Sequence, residues 1–583
     1  MAARLRARCL FLLLLALALI SNSAAQAPVG QIFHGGFEND LVGPANDSEA
    51  ARFLDQATFG PRTQDITRLH QLGYQAWIDE QFAAPISLEA PYLDWVSTRP
   101  PGQNGVYQQA RLETWLINAA QLYDPSNPLL THNDQLRQRV AFALSEMLVV
   151  SDRNAALLFQ QWGLASYYDL LAQHSFGNYR QLLEAVTKHP AMGSFLNMLG
   201  NRKPDPALNI RPDENYAREV LQLFSIGLHQ LNSDGTPVLV NGQPVPTYGQ
   251  ATVRGFAHVF TGWNFAGCTF ADYDDCEPGN PYNPPWQQPM QPIEGFHDNT
   301  THKQLLNYPG VALPGGLLTA GGNAQAELTA AINNIFNHPN VGPFVARHLI
   351  QRLVTSNPTA AYVQRVAAQF NNNGQGVRGD MRAVVRAVLL DMEARFGQQA
   401  APQTFGKLRE PLLRLVQLWR LSNARSANGR VWLITHPHVE YGQAPLSAPS
   451  VFNFFKPNFA QPGEIRDAGL VSPEFQIATD SLLVSAPNDL YWRIFYFYVG
   501  STYSYAQDAD QVLMDYAPLR TLAVNPLQLV EHLNLRLLGG GMSTFMRDVL
   551  VTRLQALPMT DGGLLRVQHA LFLVITSPEY SIQ

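Results

Sequence analysis

R-P-D-E-N-Y-A-R-E-V-L-Q-L-F-S-I-G-L-H-Q-L, residues 211–231, and T-V-R-G-F-A-H-V-F-T-G-W-N-F, residues 252–265, decide how the chain is read. At about 100° per residue, Glu214, Asn215, Arg218, Glu219 and Gln222 fall on one helical arc. Tyr216, Val220, Leu221, Leu223 and Phe224 fall on the other. Pro212 suits a first helical position, and Asp213 and Glu214 lie where the helix dipole favours carboxylates. In the second segment Val253, Phe256, Ala257 and Phe260 keep the spacing of a buried stripe, with Arg254, His258 and Thr261 on the opposite side. The expectation is two helices, 212–230 and 251–263, whose charged faces turn toward one another.

These segments carry a family resemblance. D-E-N-Y-A-R-E-V-L-Q-L-F-S-I-G-L, then F-x-x-V-F-T-G-W, then F-H-D-N-T-T-H-K resembles the DUF1800 family, large and predominantly helical bacterial proteins of unknown function. The family pattern falls on Glu214, Asn215, Ala217, Arg218 and Glu219, on Thr261, Gly262 and Trp263, and on His297, Asp298 and Lys303. A later loop, G-Q-A-P-L-S-A-P-S-V-F-N-F-F, is similar to another family segment and adds Gln443, with Asn453 where the family has glycine. Relatives often carry His-Asn-His where this chain reads Q-R-V-A-F-A-L-S-E-M-L, residues 138–148. The resemblance implies a mainly α architecture: one large multi-helix domain over 48–583 with short β-hairpins and long Pro/Gly-rich loops.

Outward from this centre, the first 25 residues read as a secretory signal. Arg4, Arg6 and Arg8 precede an apolar run from Cys9 to Ile20, and Ser23 and Ala25 supply small residues before a cut. Its loss takes the formal charge from -6 to -9. Residues 26–47 read as a flexible linker, and no later stretch is apolar enough to span a bilayer. The mature protein is expected to be exported, to the periplasm or beyond. Cys268 and Cys276, with seven residues between them, would form a disulfide there. Composition excludes disorder, with 46% hydrophobic and 15% charged residues. The acidic balance gives no reason to expect nucleic acid.

Three polar sets are candidates for chemistry. In the first, Glu219, Arg218 and His258 have the makings of an acid–base group, with Glu214 and Asn215 as binding residues. The same Glu214 and Arg218 also fit an i, i+4 surface pair. In the second, His297 and Asp298 on a short hairpin turning at Asn299–Thr300 fit an imidazole oriented by a carboxylate, with Lys303 beside them. No H-E-x-x-H or C-x-x-C spacing supports zinc, and no motif requires a cofactor. In the third, Asp272, Asp274, Asp275 and Glu277 read as a solvated acidic loop. The aromatics Trp263, Phe265, Tyr282 and Trp286 fit sugar stacking or loop packing. G-x-S-x-G, P-loop and Rossmann fingerprints are absent.

Together these features predict a cleft of Glu219, Arg218, His258, His297, Asp298 and Trp263 beneath loops 266–310 and 440–460. Two functions fit: an enzyme acting on an extracellular polymer or envelope component with Glu219 or His297 as acid/base, or a noncatalytic exported binding module. For the second, the natural partner is a DUF1501-type protein, because genes of the resembled family often lie beside such genes.

Overall fold

The computed structural model describes residues 42–122, 133–271, 285–431 and 437–583. The signal segment, most of the linker, Cys276, Tyr282 and the acidic set at 272–277 lie outside the described residues.

The fold is mainly α, as the apolar periodicity predicts. The first helix, Asp47–Ala57, is capped by the Asn46 side chain, which accepts from the Glu49 backbone at 3.0 Å. Thr63–Ala83 is one helix bent at Gly73, whose φ of 74° marks the break between its two halves. Tyr179–Lys188, Pro411–Leu421 and Pro526–Leu538 are regular helices, the last two opening on a proline that suits a first helical position. Met381–Leu390 and Met392–Ala400 are separated by Asp391, whose side chain caps the second helix.

Buried apolar side chains form one connected core from Ala50 to Tyr580, with a small satellite of Val149, Ala448, Phe454, Phe455 and Ile477. Among the described residues the strands make three two-stranded antiparallel pairs. The hairpin Leu239–Val240 with Gln243–Pro244 turns at Asn241–Gly242, both at positive φ, as the Asn-Gly pair predicts. Trp263–Asn264 pairs with Gln291–Pro292, and Lys303–Gln304 pairs with Leu317–Leu318. At the other end of the chain, Gln583 exchanges backbone hydrogen bonds with Lys407, and Arg409 donates to Ser581 at 2.7 Å. No helix among the described residues is long and apolar enough to cross a membrane.

Candidate functional site

The two helices of the opening motif are shorter than expected, Asn215–Gln222 and Gln250–Val259. Pro212 precedes the first; Asp213 instead accepts the Asn215 backbone N–H at 2.8 Å. The helices meet through their apolar stripes, with Tyr216 edge-on to Phe260 at 5.0 Å. Burying Tyr216, Val220, Phe256 and Phe260 outweighs any pairing of the charged arcs, so Glu214 and Arg218 turn outward. Arg218 pairs with Glu214 at 3.1 Å on a half-exposed surface, and Gln250 donates to the same carboxylate at 2.7 Å. Such a pair contributes only a few tenths of a kcal/mol, about 0.3–0.5. Glu219 is buried near Tyr248, and burial raises its carboxyl while Arg218 partly offsets the rise.

The second set does come together, but as a strut. His258 Nδ1 lies 2.5 Å from Asp298 Oδ2. Burial alone would raise the Asp298 carboxyl, but hydrogen bonds from His258, Thr301 and Thr300 hold it well below the usual carboxylate range. The expected hairpin is absent, because Asp298 closes its own turn by accepting from the Thr300 backbone at 3.1 Å. His297 donates from Nδ1 to the Thr261 carbonyl at 3.0 Å and places Nε2 3.1 Å from Glu327 Oε2. Lys303 Nζ reaches that same oxygen at 2.8 Å. Gly262, at φ 83°, lies so close to His297 that a Cβ would come within 2.7 Å of its backbone nitrogen. Trp263, His297 and Lys303 are fully buried, with no face open to a ligand. The predicted cleft is therefore not formed: Arg218 faces solvent, Glu219 is buried beside Tyr248, and His297, Asp298, Lys303 and Trp263 knit loops to helices. The aromatics Trp263, Phe265 and Trp286 are interior, Phe265 packing edge-on to Trp286 at 4.8 Å.

Gln443 leads elsewhere. Its Nε2 donates to Glu146 Oε1 at 3.0 Å and to Glu410 Oε2 at 2.7 Å, bridging two buried carboxyls. Glu146 ends the helix Gln135–Ser145, and Glu410 precedes Pro411–Leu421, at that helix's positive pole. Lys407 contacts Glu410 at 3.3 Å and Glu474 at 3.1 Å. Arg352, from the helix Val341–Leu353, brings Nε to 3.2 Å from Glu146 Oε2, without the alignment of a hydrogen bond. Arg139 and Lys407 both donate to the Arg352 carbonyl at 2.9 Å. Three acids and three bases thus share one interior cluster, all nearly inaccessible.

Two members of the cluster, Glu146 and Arg352, line a cavity of about 470 Å³. Its ionisable lining includes Glu146, His229, Arg347, His348, Arg352 and Lys456, with Gln222, Gln351, Asn453 and Asn458 as amides, and Leu223, Ile226, Phe344 and Phe455 form part of its apolar walls. Burial first, then the Glu410 charge, pushes the Glu146 carboxyl up to about 8, against the pull of Arg352, Lys407 and Arg139. Burial would raise Glu410 too, but Lys407, Arg139, Gln443 and Arg352 hold it below its ordinary value. Burial and the nearby Arg352 and Arg347 lower His348 to about 4. Its Nδ1 donates to the Phe344 carbonyl at 2.8 Å. Two carboxyls pushed apart in this way suit one to carry a proton and the other a charge.

A family model described as "Protein of unknown function (DUF1800)" matches residues 52–582. The chain belongs to the DUF1800 family. No protein of curated function and no solved structure matches it. In this DUF1800 protein Asn453 lines the cavity at φ 65°, so asparagine holds the left-handed conformation that glycine would take. Sequence reasoning reached Gln443 through the family loop but missed Glu146, Glu410, Arg352, Lys407 and Arg347. One signal was available: Glu146 interrupts the largely apolar run A-F-A-L-S-E-M-L-V-V.

A second cavity of about 660 Å³ holds Ser166 and His189, 3.1 Å apart. The pair is oriented against nucleophilic catalysis. His189 Nδ1 accepts the Ala191 N–H at 3.2 Å, so the proton lies on Nε2 and is donated to Ser166 Oγ. Ser166 in turn donates to the Gly163 carbonyl at 2.9 Å, and burial pushes His189 down to about 3.

Proposed function

We propose that this DUF1800 protein is an acid–base enzyme whose working site is the cavity floored by Glu146. One observation carries the reading: a buried carboxyl raised to about 8 opens on that cavity while Gln443 joins it to an ionised partner, Glu410. At neutral pH Glu146 would keep a proton to give to a leaving group, and Glu410 would hold its charge against Lys407 and Arg139. Signal-like residues 1–25 support an exported setting, and with it an extracellular polymer or envelope component as substrate.

The test is a substrate screen of the mature protein beside Glu146→Gln. The variant should lose about 10²–10⁴ in rate while melting at the wild-type temperature. Activity of the wild type should fall as pH rises through about 8, where Glu146 releases its proton. Equal turnover by the two proteins would end this assignment.

A noncatalytic role beside a DUF1501-type protein has one observation in its favour. The helix Asp480–Tyr496 exposes Leu483, Val484, Tyr491 and Trp492, continued by exposed Tyr505. Trp492 lies 4.5 Å from Tyr496, which lies 5.0 Å from Tyr503. Co-elution of the two proteins on a sizing column, lost in Trp492→Ala/Tyr505→Ala, is the expected result. Separate elution of the wild-type pair would refute it.

A further inference from the structure

We propose that the Glu146 cavity takes a compact organic anion, a carboxylate, sulfate or phosphate on a ring-sized body, and that Arg347 holds its charge. The proposal rests on the cavity being the working site, but not on Glu146 being the acid.

The charges lining the cavity are unbalanced. Arg347, Arg352 and Lys456 face a single carboxyl, Glu146. Two of these cations already have company: Arg352 lies against Glu146 with its guanidinium 4.5 Å over Phe455, and Lys456 lies 5.2 Å over Phe452. Arg347 has neither an ion pair nor a hydrogen bond among the described residues. Several other arginines among the described residues have a carboxylate partner, Arg409 with Asp55, Arg365 with Asp391 and Arg430 with Glu113, whereas Arg414, away from the cavity, has none. The Arg347 nitrogens remain open to the cavity and are spent on no protein acceptor, and a guanidinium fork in that state matches a carboxylate or an oxyanion. Burial lowers the Arg347 guanidinium.

Geometry limits the size of the ligand. Arg347 and Arg352 are five residues apart on one helix, about 7–8 Å along its axis. Arg352 touches Glu146, so a ligand held at Arg347 must reach about that far to meet the Glu146 proton. One pyranose-sized ring fills that span, and Ile226, Phe344 and Phe455 offer apolar surface to it.

Calorimetric titration of the full mature protein with glucuronate, glucose, inorganic sulfate and inorganic phosphate tests this. Glucuronate should bind with an affinity that falls as salt rises, and glucose at least about tenfold more weakly. Arg347→Gln should weaken glucuronate at least about tenfold, Arg347→Lys should restore part of it, and both should melt like the wild type. Glu146→Gln should bind within about threefold of wild type. Equal binding of glucose, no binding of any anion, or full affinity in Arg347→Gln would overturn the proposal. A Glu146→Gln protein that binds glucuronate and still turns over substrate would sink the acid–base reading and leave the anion site standing. If sulfate or phosphate alone competes with glucuronate, charge is being read; if neither does, the carboxylate and ring together are.

Discussion

Glu327→Ala should cost about 3–5 kcal/mol of folding stability, the amount typical of stripping one partner from a buried ion pair. Lys303 and His297 are both fully buried, and both direct nitrogen at one oxygen of Glu327, at 2.8 and 3.1 Å. After the change the ammonium keeps only the Thr301 carbonyl, at 3.3 Å. Water is too remote to replace the carboxylate. Glu327 also lies in the first turn of Ala324–Phe336, where the helix dipole favours a negative charge. A Glu327→Gln/Lys303→Met protein should lose less, because it removes both charges and leaves His297 an amide oxygen. Urea unfolding followed by circular dichroism measures the three. A cost under about 1 kcal/mol for Glu327→Ala would mean that the triad is not the strut described.

Glu410→Gln should act on stability and on the pH profile together. Lys407 and Arg139 lose their shared anion, again about 3–5 kcal/mol. The Glu410 charge is also one of the causes that raise Glu146. Without it Arg352, Lys407 and Arg139 pull unopposed, so the alkaline fall in activity should move to lower pH. The linkage signs follow from the directions. Glu146, raised when folded, keeps a proton that the unfolded chain releases near 4.5, so it withdraws stability as pH climbs from there to about 8. Glu410, lowered when folded, contributes stability above its unfolded value and loses it as pH falls through its folded one. Denaturation midpoints at pH 5, 7 and 9, beside the rate profile, read both. An unmoved alkaline limb would show that the two carboxyls are not coupled.

The helices were largely legible because apolar spacing at 3.6 residues reports burial directly, as at Tyr179–Lys188 and Pro526–Leu538. Site chemistry was less legible, for a reason visible at Arg218 and Lys303. A single chain shows which residues share an arc, but not whether that arc meets water or another element. Arg218 faces out because Tyr216 and Val220 claim the interior. Lys303 faces in because Glu327, 24 positions later, supplies its counter-charge. The cavity cluster was harder still. Glu146, Arg352 and the Lys407–Glu410 pair come from three separate parts of the sequence, and no short motif joins the three. Only Gln443, within a recognisable loop, marked the place.

The reciprocal bonds between Gln583 and Lys407, with that from Arg409 to Ser581, fasten segment 407–409 to segment 581–583. Lys407 carries the ammonium shared by Glu410 and Glu474, so prising these two segments apart should draw that ammonium away from both acids.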